Sequence, residues 1–370
     1  MDKQTVLDLL KTVKYPGFTR DIVSFGMVDD MEIQGDAITV TLKISTQQEE
    51  KKAVILAAVE EVLKTRGGFT SVTLTLQDAP TATTQPDPVA ATGILPDSIR
   101  HVIAVASGKG GVGKSTVAAN LALALKNKGK AVGLLDLDIY GPSLPLILGL
   151  NRPPEITPER KLVPLEKFGL KAMSFGFISG NNTPAIWRGP MVARMTEQFF
   201  SDVLWGNLDI LILDLPPGTG DIQLTLTQKV ALTGAVIVTT PQDIALADVQ
   251  KGADMFEKVN TPVLGVVENM SGLYLEGEAS GATSLTLNGT TVPLDSDGRF
   301  SHRLDIFKRG GGKAESTRLD VPLLAEIPLA LDLMTATDEG RPLVASAPES
   351  AVAACFVDLA DKLIQRIAAE

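Results

Sequence analysis

Apolar runs alternate with helical patterns through the second part of the chain, from residue 99 to residue 370. The five clearest runs are His101–Ala106, Ala131–Leu135, Leu208–Leu213, Ala235–Thr239 and Val263–Val267. Strands that are apolar on both sides lie buried in a parallel sheet whose faces are covered by helices. The pattern therefore predicts an α/β fold with a mostly parallel sheet flanked by helices. Ligands on such sheets bind at the carboxyl ends of the strands.

The first part, residues 1 to 78, has a different pattern. Apolar and polar residues alternate from Ile38 to Ile44 and again from Val72 to Leu76, as in half-buried strands. Between them, Glu49 to Arg66 has helical periodicity, and a Gly-Gly pair ends the helix. We predict a small α/β domain with the order helix, strand, strand, helix, strand.

A proline-rich segment separates the two parts. Four prolines fall between residues 79 and 98, among threonine, alanine, glutamine and aspartate. Proline at this density favours an extended linker over regular structure. We therefore predict a first domain at 1–78, a linker at 79–98 and a second domain at 99–370.

Charge and hydropathy exclude several classes of partner. The chain has 370 residues, with 44 acidic and 34 basic side chains and a net charge of −10. A strong nucleic-acid binder needs a basic face, so this balance argues against one. The N-terminus has no secretory pattern, and no run of about 18 apolar residues occurs. We expect a cytoplasmic protein without a membrane partner.

A glycine-rich loop follows the first apolar run. Gly108 to Ser115 matches G-x-x-x-x-G-K-[ST], in which backbone N–H groups and a helix N-terminus bind phosphate. Lys114 is expected to contact the β- and γ-phosphates, and the Ser115 hydroxyl to bind Mg²⁺. The residues expected to contact the nucleotide are Gly108, Lys109, Gly110, Gly111, Val112, Gly113, Lys114, Ser115 and Thr116.

Two other interpretations of this loop stay open at this point. Gly108, Gly110 and Gly113 also match G-x-G-x-x-G, a dinucleotide-binding pattern whose ribose-binding acid would have to be Asp136. That interpretation gives the Lys-Ser pair after Gly113 no role. A glycine-rich turn without a ligand is the remaining interpretation.

Acidic residues stand at the ends of two later apolar runs. Asp136 and Asp138 follow the second run, and Asp214 follows the third, just before a Pro-Pro-Gly-Thr-Gly loop suited to sensing a γ-phosphate. In P-loop enzymes such acids serve magnesium and the attacking water. The alternative for Asp136 and Asp138 is a solvated loop start. A dinucleotide site would have no use for Asp214.

Together these residues resemble the Mrp/ApbC branch of the deviant Walker-A ATPases, which are relatives of MinD and ParA. The matching strings include SGKGGVGKST, LLDLDIYGPS, WRGPM at Trp187–Met191, LDLPPGTGD and VENMS, within a resemblance over nearly all of residues 95 to 345. The N-terminal part is similar to the small domain of SufT-type iron–sulfur assembly factors, with Asp21-Ile22-Val23 at the position of that domain's DIV.

The resemblance implies a homodimer that sandwiches two ATP molecules, with iron–sulfur clusters passed to apoproteins or assembly factors. It implies that Lys109 crosses the interface to the partner's nucleotide and that Asn269 contacts adenine. It also implies that Asp138 positions the hydrolytic water and that Asp136 and Asp214 support magnesium. The other interpretations are a solvated loop lysine at 109 and a loop-capping asparagine at 269.

The chain departs from this family in its cysteines. It has one, Cys355, which excludes an internal disulfide and a CxxC pair. The family usually carries C-x-x-C soon after ENMS, and two such pairs in a dimer hold a [4Fe–4S] cluster through thiolates. Here residues 272–277 follow ENMS without a cysteine, and residues 283–294 have the pattern of a β-hairpin. We predict an inserted hairpin at 272–303, no iron–sulfur ligands of the usual kind, and an inert Cys355 packed on the last helix.

Another metal in the inserted region is the alternative. The candidate oxygen and nitrogen ligands are Glu276, Glu278, Asp295, Asp297 and His302. Their spacing does not match a calcium loop, and one histidine makes a poor transition-metal site. We expect a solvated acidic hairpin instead.

Three functions are compatible with the sequence, and ATP binding and hydrolysis with Mg²⁺ are common to all of them. The first is an ATP-dependent iron–sulfur carrier, which is the family role. The second is a cysteine-free paralogue that works as an ATP-driven dimeric switch or scaffold for protein partners. The third, a MinD/ParA-like positioning ATPase, would need a membrane helix or a DNA-binding patch that the sequence does not offer.

Overall fold

The chain forms two compact units, Met1–Val89 and Ala90–Glu370, and the division falls within residues 79–98. The computed structural model describes residues 3–13, 22–23, 27–43, 49–77, 96, 98–179 and 189–369. Asp21, Trp187 and most of the predicted linker lie outside the described residues. Within the described residues, no helix is long and apolar enough to cross a membrane.

The first unit has the predicted order of elements. A three-stranded sheet in the order β1-β2-β3 has β1 antiparallel and β3 parallel to β2. The alternating residues Ile38, Val40 and Leu42 are buried, and they share a core with Val59 and Leu63 of the second helix. The elements are α1 (Lys3–Leu10), β1 (Val28–Gln34), β2 (Ala37–Lys43), α2 (Glu49–Thr65) and β3 (Ser71–Gln77).

The second unit is built on a nine-stranded sheet. Its elements are β4 (Ile99–Ala106), α3 (Lys114–Asn127), β5 (Val132–Asp136), α4 (Leu144–Ile147), β6 (Glu155–Ile156), β7 (Leu162–Val163), β8 (Leu165–Lys167), β9 (Leu170–Ser174), α5 (Phe175–Ser179), α6 (Gly189–Ser201), β10 (Leu208–Asp214), α7 (Asp221–Lys229), β11 (Gly234–Thr239), α8 (Asp243–Lys258), β12 (Val263–Glu278), β13 (Ser284–Leu287), β14 (Thr290–Pro293), β15 (Arg299–Leu304), α9 (Gly311–Arg318), β16 (Leu323–Leu329), α10 (Leu331–Asp338), α11 (Leu343–Ser346) and α12 (Ala351–Ala369).

The sheet is mostly parallel, which confirms the predicted fold class. Its order is β15-β12-β11-β4-β10-β5-β9-β8, and β16 also pairs with β12. All neighbours are parallel except the outermost pairs, β15 with β12 and β8 with β9. The carboxyl ends of the parallel strands therefore meet at one edge of the sheet.

Helix α3 fixes the position of the loop that precedes it. Val117, Leu121 and Leu125 of this helix are fully buried in the core that it shares with the sheet. Burial of each such aliphatic side chain contributes roughly 1.5–3 kcal/mol. The start of α3 is thus held rigidly at the carboxyl edge of the sheet.

Strand β12 continues beyond the sheet. Its first half pairs with β11 and β16, and its second half, Leu273–Glu278, pairs antiparallel with β15. Met270 and Gly272 have positive φ angles of 55° and 77° at the point where the pairing changes. We call β12 from Leu273, together with β15, the β12–β15 arm; the sequence analysis did not predict it.

A small hairpin lies between the two strands of this arm. Strands β13 and β14 pair from Ser284↔Pro293 to Leu287↔Thr290. The turn residues Asn288 and Gly289 both have positive φ, at 44° and 81°, as a two-residue turn of the primed type requires. This hairpin was expected from its Asn-Gly signal.

Candidate nucleotide-binding site

The loop between β4 and α3 lines a cavity of about 410 Å³. Every residue from Lys109 to Thr116 borders the cavity, together with Ser107 and Asp138. Gly111 and Gly113 have φ angles of 82° and 78°, a region that favours glycine. The loop therefore curls around an open space at the N-terminus of α3, where backbone N–H groups bind phosphate.

Gly108 does not border the cavity, but its lack of a side chain has a clear reason. A Cβ atom at this position would collide with the backbone of Asp248 in helix α8. At Gly110, a Cβ would meet only the ring of Pro217 at 3.8 Å. The first glycine of the motif is thus needed for packing of the loop against α8.

Lys114 forms a buried ion pair with Asp214. The lysine side chain is 6% exposed and that of Asp214 is fully buried, and the ammonium group donates to Asp214 Oδ1. The Ser115 hydroxyl lies 3.4 Å from the same ammonium. Asp214 Oδ2 is buried and has no hydrogen-bond partner among the residues that the structure describes.

Asp136 lies beside Asp214 because β5 and β10 are parallel neighbours and pair these two residues in register. Its carboxylate accepts hydrogen bonds from Asp138 N (3.0 Å), Leu144 N (3.2 Å) and Ser174 Oγ (3.0 Å). Burial, followed by the charge of Asp214, raises the pKa of Asp136 to about 7. Asp136 is thus a buried carboxyl group that holds the start of the next loop.

Asp138 is more accessible and stands at the mouth of the site. It borders the P-loop cavity and also a second cavity of about 630 Å³. Its Oδ1 accepts a hydrogen bond from Gly141 N at 3.2 Å. Burial raises the pKa of Asp138, while the charge of Lys114 opposes the shift. This carboxylate has access to the space beyond the phosphate-binding loop.

Asn269 contacts the loop itself. Its Nδ2 donates to the carbonyl of Val112 at 2.8 Å, and its side chain is 5% exposed. A Cβ at Gly113 would collide with this amide. The structure therefore places Asn269 behind the loop and outside the cavity lining, and its contact with adenine stays a prediction.

Lys109 is partly exposed and borders the P-loop cavity. The Ser107 hydroxyl donates to its backbone carbonyl at 2.9 Å, but within the described part of the chain its ammonium group makes no ion pair or hydrogen bond. Its charge is therefore available to a ligand or to a second molecule.

Several residues at this edge were missed by the sequence analysis. Thr337 and Asp338 at the end of α10 border the P-loop cavity, although they lie far away in the sequence. Gln223 borders the second cavity. Glu268 is fully buried next to Asn269 and accepts hydrogen bonds from Gly312 N and the Ser271 hydroxyl. The burial of Glu268 has no signal in a single sequence, whereas Gln223 lies two residues after the LDLPPGTGD string.

The inserted region has no metal-binding geometry in the described residues. Nowhere among them do three or more His, Cys, Asp or Glu side chains form a group that could hold a metal ion. Glu276, Glu278 and Asp295 border a shallow cavity of about 860 Å³ beside Arg299 and Phe300. These acids lie on the β12–β15 arm and at its tip.

Cys355 lies on α12 against the main core. Its thiol donates to Ala351 O at 3.5 Å, a contact within the helix. Burial, then the charge of Asp358, raises the pKa of Cys355, so the thiol form is favoured.

The chain matches two protein-family models. Residues 98–289 and 296–364 match the model described as NUBPL iron-transfer P-loop NTPase, and residues 3–75 match that described as iron–sulfur cluster assembly protein. The first match confirms the P-loop interpretation of the glycine-rich loop over the dinucleotide-binding one.

Two curated relatives match almost the whole chain, and a solved structure matches about two thirds of it. An iron–sulfur cluster carrier protein of Synechocystis is 39% identical over 367 residues, which cover 98% of this chain and 97% of the relative. One of Deinococcus radiodurans is 41% identical over 98% of this chain and 95% of its own. The solved structure of an Archaeoglobus fulgidus nucleotide-binding protein in complex with ADP is 38% identical, with a TM-score of 0.53, over 66% of this chain and 88% of that one.

Proposed function

The chain belongs to the family of NUBPL iron-transfer P-loop NTPases, and we propose that it binds and hydrolyses ATP as a homodimer that serves iron–sulfur cluster delivery to apoproteins. One observation carries the proposal: Lys114 borders the P-loop cavity and forms a buried ion pair with Asp214, while Asp138 also borders this cavity. These residues supply the phosphate-binding cation, a carboxylate for the metal, and a carboxylate for the attacking water.

Binding of ATP would change the partner of Lys114. The buried lysine forms its ion pair with Asp214, and it also borders the loop cavity. The phosphate oxygens of ATP would take over part of this pairing, helped by the loop N–H groups. Asp214, which ends β10, would then be released from Lys114, so that nucleotide binding would change the position of the loop that follows this strand.

Ser115, Asp136 and Asp214 are the residues that would hold Mg²⁺. Their donors are all oxygen atoms, which Mg²⁺ prefers. Asp214 Oδ2 is a buried oxygen with no partner among the described residues, whereas both oxygens of Asp136 already accept hydrogen bonds. When bound, the ion would neutralise charge on the β- and γ-phosphate oxygens.

Asp138 would orient the attacking water. Its carboxylate borders both the loop cavity and the adjoining cavity, and the raised pKa of Asp138 brings it closer to that of an effective proton acceptor. The positive charge of Lys114 opposes this rise in the pKa of Asp138.

The surface around the cavity supports dimerisation. Large apolar side chains are exposed on segments that follow the carboxyl ends of β5, β11 and β16: Tyr140 (69% exposed), Leu146 (67%), Ile244 (64%) and Leu331 (72%). Exposed large apolar side chains grouped at one edge of a sheet are typical of an interaction surface. A second copy facing this edge would cover it and would meet Lys109 at the cavity.

This chain lacks the cysteine ligands that usually hold the iron–sulfur cluster. A dimer contains two cysteines, one Cys355 from each chain, while a [4Fe–4S] cluster takes four thiolates. The segment after Asn269 is a paired strand of the β12–β15 arm. Delivery would therefore depend on ATP-driven binding and release of partners that carry the cluster.

A second candidate function is an ATP-driven switch or scaffold for protein partners without any cluster. The continuous pairing of Leu273–Glu278 with β15 favours it, because this segment presents strands instead of ligands.

One experiment tests the ATPase. Purified protein is assayed for phosphate release with Mg²⁺ and ATP, together with Lys114→Ala and Asp138→Ala. We expect Lys114→Ala to abolish nucleotide binding or turnover, and Asp138→Ala to spare binding while turnover falls by about 100-fold or more. Normal turnover in both variants would refute the mechanism.

Transfer of a cluster from a loaded donor to an apoprotein, with and without ATP, separates the two candidate functions.

A further inference from the structure

Gln223 is a buried polar side chain that the mechanism above does not use. It is the third residue of α7, just after the loop that follows Asp214. Its side chain is 3% exposed, and its Oε1 has no hydrogen-bond partner among the residues that the structure describes. Leaving a buried amide oxygen without a hydrogen bond is unfavourable, so its presence needs an explanation.

The side chain borders the second cavity, which has a volume of about 630 Å³. Asp138 and Pro217 border both this cavity and the P-loop cavity, so the two spaces adjoin at these residues. Gln223 and Asp138 therefore face the same space beyond the phosphate-binding loop. The rest of the lining is Tyr140, Gly141, Pro216 and Gly220, and of these only Tyr140 carries a polar side-chain group, its phenolic hydroxyl.

A water molecule in this space needs acceptors for its two hydrogen atoms if its lone pair is to point at the phosphate. Asp138 supplies one acceptor. The glutamine amide supplies a second, because its last torsion is broad and two-fold and lets the oxygen turn toward the cavity. Among the residues that border this cavity, these two have side-chain groups that accept strongly.

We propose that Gln223 is the second group that holds the attacking water, beside Asp138. This inference rests on the proposed ATPase function and adds a residue to it. In the step, the water oxygen forms a bond to the γ-phosphorus, and the bond from that phosphorus to the bridging oxygen breaks. ADP leaves with the bonding electron pair. One water proton passes to the Asp138 carboxylate and then to solvent, while Gln223 accepts a hydrogen bond and no proton.

Three substitutions test this role by steady-state ATP hydrolysis and equilibrium nucleotide binding. Gln223→Met keeps the length and removes the acceptor, Gln223→Asn withdraws the amide from the cavity, and Gln223→Glu keeps an oxygen acceptor of the same length. Gln228→Met is the matched control, because Gln228 is exposed on the same helix.

We expect Gln223→Met and Gln223→Asn to lower kcat about 100-fold while KM and nucleotide affinity stay within about threefold of the parent. Gln223→Glu should recover at least about tenfold of the lost kcat, since an oxygen again accepts from the water. Gln228→Met should match the parent. If Gln223→Met does not fold, the comparison of Gln223→Asn with Gln223→Glu decides.

The proposal is overturned if kcat of the variants lacking the acceptor equals that of the parent, if nucleotide affinity falls in proportion to kcat, or if Gln223→Glu is as slow as Gln223→Asn. A parent protein that neither binds nor hydrolyses ATP would instead refute the proposed function itself. The two failures are therefore distinguishable in one set of assays.

Discussion

Asp136 makes the stability of the second unit depend on pH in an unusual direction. Its side chain is fully buried, and burial with the nearby charge of Asp214 raises the pKa from 3.8 to about 7. Between these two values the folded protein keeps a proton that the unfolded chain has released. Stability therefore falls as pH rises through this window.

The size of this effect follows from the shift. Each pKa unit corresponds to about 1.4 kcal/mol, so the roughly two units between pH 5 and pH 7 give about 3 kcal/mol. Asp136→Asn has no proton to lose and retains one acceptor oxygen. We expect the parent to lose about 3 kcal/mol more stability than this variant between pH 5 and pH 8.

The assay is urea unfolding of the nucleotide-free protein in a chelating buffer at pH 5 and pH 8. Both tryptophans, Trp187 and Trp205, lie in the second unit, so their fluorescence reports on that unit alone. Asp297→Asn, at an exposed position between β14 and β15, is the control and should follow the parent. If the parent and Asp136→Asn lost equal stability, Asp136 would be ionised in the folded apoprotein and this reasoning would be wrong.

Three further predictions concern the interface, the thiol and the loop. Lys109→Ala should leave nucleotide binding by the monomer intact but abolish ATP-induced dimerisation in light scattering and most of the turnover; unchanged dimerisation would contradict its role across the interface. After anaerobic reconstitution with iron and sulfide, Cys355→Ala should contain the same iron as the parent, and a stoichiometric cluster lost in this variant would overturn the view of the thiol as inert. Gly108→Ala should lower stability by about 1–3 kcal/mol because its Cβ meets the backbone of Asp248, whereas Gly110→Ala should unfold at the parent's temperature in calorimetry; equal melting temperatures would refute the packing argument.

Most of the fold could be predicted from the pattern of apolar and polar residues along the sequence. The apolar runs became the central strands, since a strand buried on both faces has to be apolar throughout. The P-loop and the Asn288-Gly289 turn were predictable because each needs residue types that few other structures use. The β12–β15 arm was not predicted, because Leu273–Glu278 is mixed in polarity and finds its partner far along the chain.

The site was predictable where its residues belong to one motif or end neighbouring strands of the sheet. Asp136 and Asp214 meet because their strands are parallel neighbours, which the fold class already implied. The engagement of Asn269 with Val112 depends on packing between distant segments, and no local pattern encodes it. The unpaired oxygen of Gln223 is likewise a property of the folded cavity.

The β12–β15 arm also has a consequence for how this protein can change over evolution. Glu278 and Arg299 are paired at the end of the arm, so the chain leaves and re-enters the sheet at adjacent points. Residues 279–298 between them form a tip, and a change in its length would not alter the pairing of the strands in the sheet. The match to the family model is interrupted within this tip, at residues 290–295. The tip can therefore be exchanged or lengthened while the strand ends that border the P-loop cavity keep their places. The length and composition of the tip can thus vary independently of the P-loop.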